Sequence, residues 1–348
     1  MWYWPGTSSS GVASSGALSV RTSSSRGGRA SLPDGVNTRA AVHPSSPGCR
    51  RYAHAIRLPP VNWFERWTAA LAVLAAVAAC ATGRNYTSPL GPRYAGGTGV
   101  ADSAPLDPAP ESLRIVTFNI QFARHIDEAI RLLRSTGPLQ HADVIALQEM
   151  DAPGTARIAR ALGMSYVYYP ATVHPATRRD FGDAILSRFP IVADEKIILP
   201  HVGRFQKTAR IATATTILVG DVSIRVYSMH LGTSLDVSWS SKRDQVQTIL
   251  ADAAGYPRVI IAGDANSHGI GETFRAAGYL WPTEHNPRTT RFFNWDHVFT
   301  KGVSGTDGAA ATGVIHDNLG ASDHRPVWAV IRLRALRGDE PLSVTPRP

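Results

Sequence analysis

From residue 113 onward, apolar and polar positions fall into short periodic segments. Residues 113–120 read as a strand. Residues 143–147 read as a second, whose short apolar run suits burial on both faces. Between them Ile126, Ile130 and Leu133 recur at helical spacing, and residues 155–162 predict another helix stopped by Gly163. Further strands are predicted at 183–186, 209–219, 223–230, 258–261, 295–299 and 327–333. Ser240 is the expected cap of a helix with Val246, Ile249, Leu250 and Ala253 on its apolar face and Gly255 behind it. Many strands with a few interspersed helices predict an α/β domain in which sheets pack together and helices cover the outside.

The chain ahead of this domain has a different texture. Residues 1–60 are rich in Ser, Gly, Arg and Pro without an apolar period. They read as disordered, or as an extension upstream of a translation start near Val61. Residues 67–81 are largely apolar but fall short of the ~20 residues a membrane-spanning helix needs. With Arg66 on its N-terminal side, the run suits a signal peptide over 61–80. Its end, Val77-Ala78-Ala79-Cys80, resembles a bacterial lipobox and makes Cys80 a lipidation candidate; the plainer alternative is an Ala-rich anchor helix. Residues 81–112, with Pro89, Pro92, Pro105, Pro108 and Pro110, predict an extended linker to a domain over 113–335, followed by a disordered tail over 336–348. The expectation is a monomer outside the cytoplasm, periplasmic or at the cell surface, held to a membrane by a lipid anchor, or secreted.

The net charge of +9 invites a nucleic-acid reading. Residues 1–79 carry +6 of it and residues 113–335 only +4, so charge does not name the substrate. Both cysteines, Cys49 and Cys80, precede the domain, which excludes a disulfide framework or thiolate metal site within it. Ten of the twelve histidines follow residue 120, so metal ligands there would be oxygens and imidazoles.

Several predicted strands end in polar residues. One ends in Asn119, others in Gln148-Glu149, His230 and Asp264-Ala265-Asn266, and Ser322-Asp323-His324-Arg325-Pro326 precedes the last. Ligands gathered at strand ends make a site on a rigid scaffold. Each motif alone has a bland reading: a solvated glutamate, a Gly-Asp-Ala-Asn turn, a loop end before proline. Their joint occurrence in this order is the signal.

With Thr117-Phe118-Asn119-Ile120, Leu147-Gln148-Glu149, Gly182-Asp183-Ala184-Ile185-Leu186-Ser187-Arg188, His230-Leu231, Gly263-Asp264-Ala265-Asn266, Asp296-His297-Val298-Phe299 and Ser322-Asp323-His324-Arg325-Pro326, the sequence resembles the endonuclease/exonuclease/phosphatase superfamily. That group includes DNase I-like nucleases, abasic endonucleases, bacterial sphingomyelinases and inositol-polyphosphate phosphatases. The resemblance implies a four-layer α/β sandwich, two packed mixed sheets flanked by helices, and hydrolysis of phosphoester, chiefly phosphodiester, bonds. It implies Mg²⁺ or Mn²⁺ held by Glu149, with Asn119 beside it as ligand or phosphate contact and Asp323 completing the shell. His324 is implied as general base for an in-line water, with Asp296 fixing its tautomer. Asp264 and Asn266 would orient water and phosphate, and His230 would stabilise a non-bridging oxygen.

Asp183 departs from the pattern, which usually has Asn there; a carboxylate would tighten metal binding or repel a polyanion. Arg210 is a candidate phosphate contact, whereas Arg204 and Lys207 read as a solvated basic turn. Tyr168, Tyr169 and His174 are candidates to line the cleft. Trp239 and Trp281 suit stacking or lipid contact, though buried aromatics are the commoner case. Two substrates compete. A nuclease needs a basic groove, and a phospholipid or sphingomyelin phosphodiesterase needs apolar loops beside a membrane. A catalytically inactive binding module on the same scaffold would have lost Glu149, Asp296 or His324, and all three are present.

Overall fold

Runs such as Val259-Ile260-Ile261-Ala262 carry no polar alternation because both faces of their strands are buried. The computed structural model describes residues 82–97, 110–303 and 311–333. In chain order the strands are β1 (Arg84–Asn85), β2 (Tyr94–Gly96), β3 (Ser112–Asn119), β4 (Val144–Met150), β5 (Ser165–Val173), β6 (Asp180–Ser187) and β7 (Ile191–Leu199). They continue as β8 (Arg210–Val219), β9 (Val222–His230), β10 (Val259–Asp264), β11 (Asp296–Lys301), β12 (Ala311–Val314) and β13 (Val327–Arg332). The helices are α1 (Ile126–Ser135), α2 (Gly137–Gln140), α3 (Ala152–Leu162), α4 (Trp239–Ala253) and α5 (Gly271–Ala276).

One sheet has the order β1-β5-β6-β4-β3-β13-β12, with β2 also pairing β5; the other is β11-β10-β9-β8-β7. Both are mixed, since β3 and β4 run parallel, as do β9 and β10. Successive side chains on each strand point to opposite faces. Ile115, Val144 and Ile185 therefore meet Ile217, Val226, Ile260 and Val298 between the sheets. Phe118, Ile145 and Leu147 face Leu132, Leu133 and Ile158 of α1 and α3. Tyr227, Ile261 and Phe299 face Val246, Ile249 and Phe274 of α4 and α5. The result is the expected four-layer sandwich, each fully buried Ile, Leu or Phe contributing roughly 1.5–3 kcal/mol.

The parallel pairs decide where the polar strand ends go. They bring Asn119, Glu149, His230 and Asp264 to one edge of the two sheets, and Asp264 is in register with both His230 and Asp296. At this edge Gly263 approaches the neighbouring strand closely. Its φ is 152°, and a Cβ there would stand 2.0 Å from the Met229 carbonyl oxygen. Gly263→Ala is expected to cost at least on the order of 1–3 kcal/mol from strained backbone alone, read as a lower urea midpoint.

Several elements differ from the sequence expectation. Part of the stretch expected as linker is built into the sheet: β1 and β2 both pair with β5. The cap of α4 is Ser238 rather than Ser240, its side chain accepting from Ser241 N–H at 3.1 Å. Strands β5, β7 and β12 have no counterpart among the predicted strands. The extension over 1–60, the signal-like run with Cys80 and the tail over 336–348 lie outside the described residues. Among the described residues no helix is long and apolar enough to cross a membrane.

Candidate active site

Glu149 sits where β4 bulges against β6, in a left-handed conformation with φ 58°. Facing it, Gln121, Phe122 and Ala123 have φ of 36°, 60° and 50° in succession. Side chains with a Cβ pay to adopt this region, so such runs persist where the surroundings hold them. Here the left-handed turn aims the Phe122 N–H at Glu149 Oε2, 3.1 Å away. Asn119 Nδ2 donates to Glu149 Oε1 at 3.2 Å and to Asp264 Oδ2 at 3.1 Å, while its Oδ1 accepts from Gln121 N–H. As placed, Asn119 bridges two carboxylates as a donor and its amide oxygen is already engaged.

Asp264 is the hub of the second sheet's contribution. Its Oδ1 accepts from Asn266 N–H at 2.7 Å, and its Oδ2 lies 3.5 Å from His230 Nε2 and 3.8 Å from His324 Nε2. Asn266, with φ 48°, donates through Nδ2 to Leu231 O. Buried Lys242 of α4 donates to Asn266 O at 2.8 Å, and burial lowers its ammonium to about 8. Burial pushes Asp264 up to about 7 against the pull of His324. Arg210, at the head of β8, sets Nη1 within 3.0–3.1 Å of both His230 ring nitrogens. Burial, then Arg210, pushes His230 well below the ordinary histidine range, so its imidazole is neutral at pH 7.

His324 Nδ1 meets Asp296 Oδ2 at 2.8 Å, both groups buried. Burial lowers the imidazole's affinity for a proton, but Asp296 and then Asp264 outweigh it and raise the group to about 10. The folded chain therefore binds this proton more tightly than the unfolded one. The resulting stabilisation is complete below about pH 6.5 and is lost as pH rises through 10. In metal-free protein the wild-type thermal midpoint should fall relative to that of His324→Ala between pH 7 and 10, as calorimetry would show.

The remaining candidates separate. Asp183 is buried at the same edge with Oδ2 unpartnered. Burial pushes it well above the carboxylate range; Arg210 opposes this, and Glu149 and Asp264 add to it. The carboxyl is driven toward its neutral form, so the extra negative charge expected of it is not what this environment favours. His174 packs against Phe122 and Phe181 at ring distances of 4.8 and 5.2 Å and is lowered to about 4 by burial and Arg210. Tyr168 and Tyr169 do not line the cleft: Tyr168 is a core residue bonded to Met150 O, and Tyr169 bonds Asp194. His297, next to Asp296, points to the opposite face against Trp281. Trp281 is buried and Trp239 exposed. Sequence reading missed Phe122, Phe181 and Lys242. Lys242 left one signal, since it stands four residues before Val246 on the apolar face of α4.

Two groups bear on a cation. Asp264, Asp296 and His324 bring one ligand atom each within 4.8 Å of one another. Within that group the Asp296–His324 hydrogen bond already engages Nδ1 and Oδ2. Burial raises Glu149 against the pull of Arg210, His324 and the Asn119 hydrogen bond, and exposed Asp323 adds a smaller upward push. Glu149 and Asp323 would supply oxygen alone, the ligand type that a hard divalent cation takes.

The profile of the Endonuclease/Exonuclease/phosphatase family matches residues 116–324. The fold is similar to that of an endonuclease/exonuclease/phosphatase from Beutenbergia cavernae, at 20% identity and TM-score 0.52, covering 64% of this chain and 72% of that one. It is similar also to one from Bacteroides vulgatus, at 13% identity and TM-score 0.52, covering 65% and 100%. No curated protein is similar enough to the chain to count as a match.

Proposed function

Since this chain belongs to the endonuclease/exonuclease/phosphatase family, we propose that it hydrolyses phosphodiester bonds with Mg²⁺ or Mn²⁺ and an in-line water. The observation that carries the reading is the buried His324–Asp296 pair opposite Asp264, on the edge that also holds Glu149. Asp296 fixes the tautomer of His324, leaving Nε2 to take a proton from water. Asp264 and Asn266 orient that water and the phosphate. His230 and Arg210 offer donors to a non-bridging oxygen whose charge grows as water attacks, and Arg210 lies above the Phe181 ring at 5.1 Å. His174 and Asp183 close the side of the cleft beyond Arg210. Glu149 and Asp323 would hold the cation, with Asn119 keeping Glu149 in place. The cation would polarise a phosphoryl oxygen and offset charge in the transition state.

The test is turnover of bis(4-nitrophenyl) phosphate and 4-nitrophenyl phosphate by the full chain, with Mg²⁺ and with EDTA. The diester should turn over faster, and only with the cation. Equal rates in EDTA would refute the metal, and a preference for the monoester would refute the diester.

A further inference from the structure

Two loops flank this edge. One runs from Pro200 to Ala209 and leads into Arg210; the other follows His230 and leads into α4. Their tips expose apolar side chains: Val202 is 47% exposed, Phe205 57%, Leu235 82% and Trp239, at the start of α4, 51%. Exposed Arg204 and Lys207 stand among them. On the far side of His324, Phe292 and Phe293 are exposed as well.

These loops are fixed in place. Arg204 N–H donates to Asp236 O at 3.0 Å, joining the two tips. Gln245 of α4 donates to Pro200 O and accepts from Gly232 N–H, both at 2.9 Å, joining their bases. Gly203 N–H bonds Thr208 O, and Lys207 N–H bonds Gly203 O. The conformation is set before anything binds, which lowers the entropy that docking would cost.

The chain's own route points the same way. Gly83 N–H donates to Gln206 O at 2.7 Å, and Asn85 Nδ2 donates to Lys207 O at 2.7 Å. The apolar run over 67–81 ends two residues before Gly83. The chain thus reaches the domain directly at the loop that carries Phe205. Any membrane association of that run would tether the chain two residues from its attachment to this loop.

We propose that the 201–208 and 233–239 loops seat the catalytic edge on an anionic phospholipid surface, so that the diester presented to His324 is a lipid headgroup. This rests on the hydrolytic reading above. Phe205 and Trp239 could stack on nucleobases, but Val202 and Leu235, the latter the most exposed of the four, cannot, and apolar tips add nothing to the phosphate contacts that govern nucleic-acid affinity. Apolar tips that enter the acyl boundary beside cations that meet anionic headgroups are what interfacial binding requires. Asp236, the acid between the tips, is half-buried and accepts from Thr233.

The experiment is amide hydrogen exchange of the full chain, alone and with vesicles of phosphatidylcholine containing phosphatidylglycerol, paired with turnover of the vesicle lipid. Protection is expected at 201–208 and 233–239. Phe205→Ser with Leu235→Ser should remove it and lower vesicle turnover about tenfold or more, with bis(4-nitrophenyl) phosphate turnover unchanged. Should that variant misfold, Arg204→Glu with Lys207→Glu carries the same expectation. His324→Ala should keep the protection while losing turnover, which separates docking from chemistry. Loops that exchange on vesicles as in buffer, protection by single-stranded DNA instead of vesicles, or unchanged vesicle turnover in both double variants would overturn the proposal.

Discussion

His324→Ala is expected to lower kcat on a phosphodiester by roughly 10²–10⁴-fold, the range for a positioned general base. The group is buried, oriented by Asp296 at 2.8 Å, and leaves Nε2 3.8 Å from Asp264. Asp296 and Asp264 hold its proton up to about pH 10, whereas a base acts in its neutral form. Turnover should therefore rise with pH, and a cation beside Glu149 should move that rise to lower pH by repelling the proton. Asp296→Asn should retain the packing while losing the tautomer control, and its profile should shift further in the same direction. Added imidazole should partly restore the alanine variant. A merely structural histidine would show neither the moving profile nor the rescue.

Glu149→Gln is expected to cost about three orders of magnitude in metal-dependent turnover, the several kcal/mol that a cation supplies to transition-state charge. The substitution keeps the size of the side chain and removes its charge. One oxygen remains to accept from Phe122 N–H or Asn119 Nδ2, so the left-handed turn at 121–123 should also loosen. Binding to the folded state raises a thermal midpoint in proportion to ligand concentration over Kd. Mg²⁺ should raise the wild-type midpoint and leave that of Glu149→Gln nearly unmoved. An equal shift in both proteins would remove Glu149 from the cation site and favour the Asp264, Asp296 and His324 group.

Much of this site was legible because its residues follow strands whose apolar runs are unmistakable. Asn119, Glu149, His230 and Asp264 each terminate such a run; a parallel pairing in each sheet aligns two of them, and the packing of the sheets brings the pairs together. What the sequence could not carry is the three-dimensional environment. Asp183 reads as a charge, yet burial drives it toward neutrality. Asn119 reads as a ligand or phosphate contact, and only the fold shows its amide donating to two carboxylates and accepting from a backbone N–H. The stretch over 81–112 reads as linker from its prolines, but β1 and β2 are too short to leave a period, and only their pairing with β5 defines them. Strand β5 was missed because Pro170 interrupts it; the register shifts between Pro170 and Thr172, where an irregular ladder can accommodate a missing N–H. Lys242 looks like a surface lysine until α4 turns it under Asn266.

The most direct test of the central claim is hydrolysis of bis(4-nitrophenyl) phosphate in ¹⁸O-water with Mg²⁺. Attack by a water that His324 activates should place the label in the phosphate of the product, and the labelled product should form far more slowly with His324→Ala or Glu149→Gln. Label appearing in the nitrophenol, or forming in the phosphate at the same rate in all three proteins, would contradict the account.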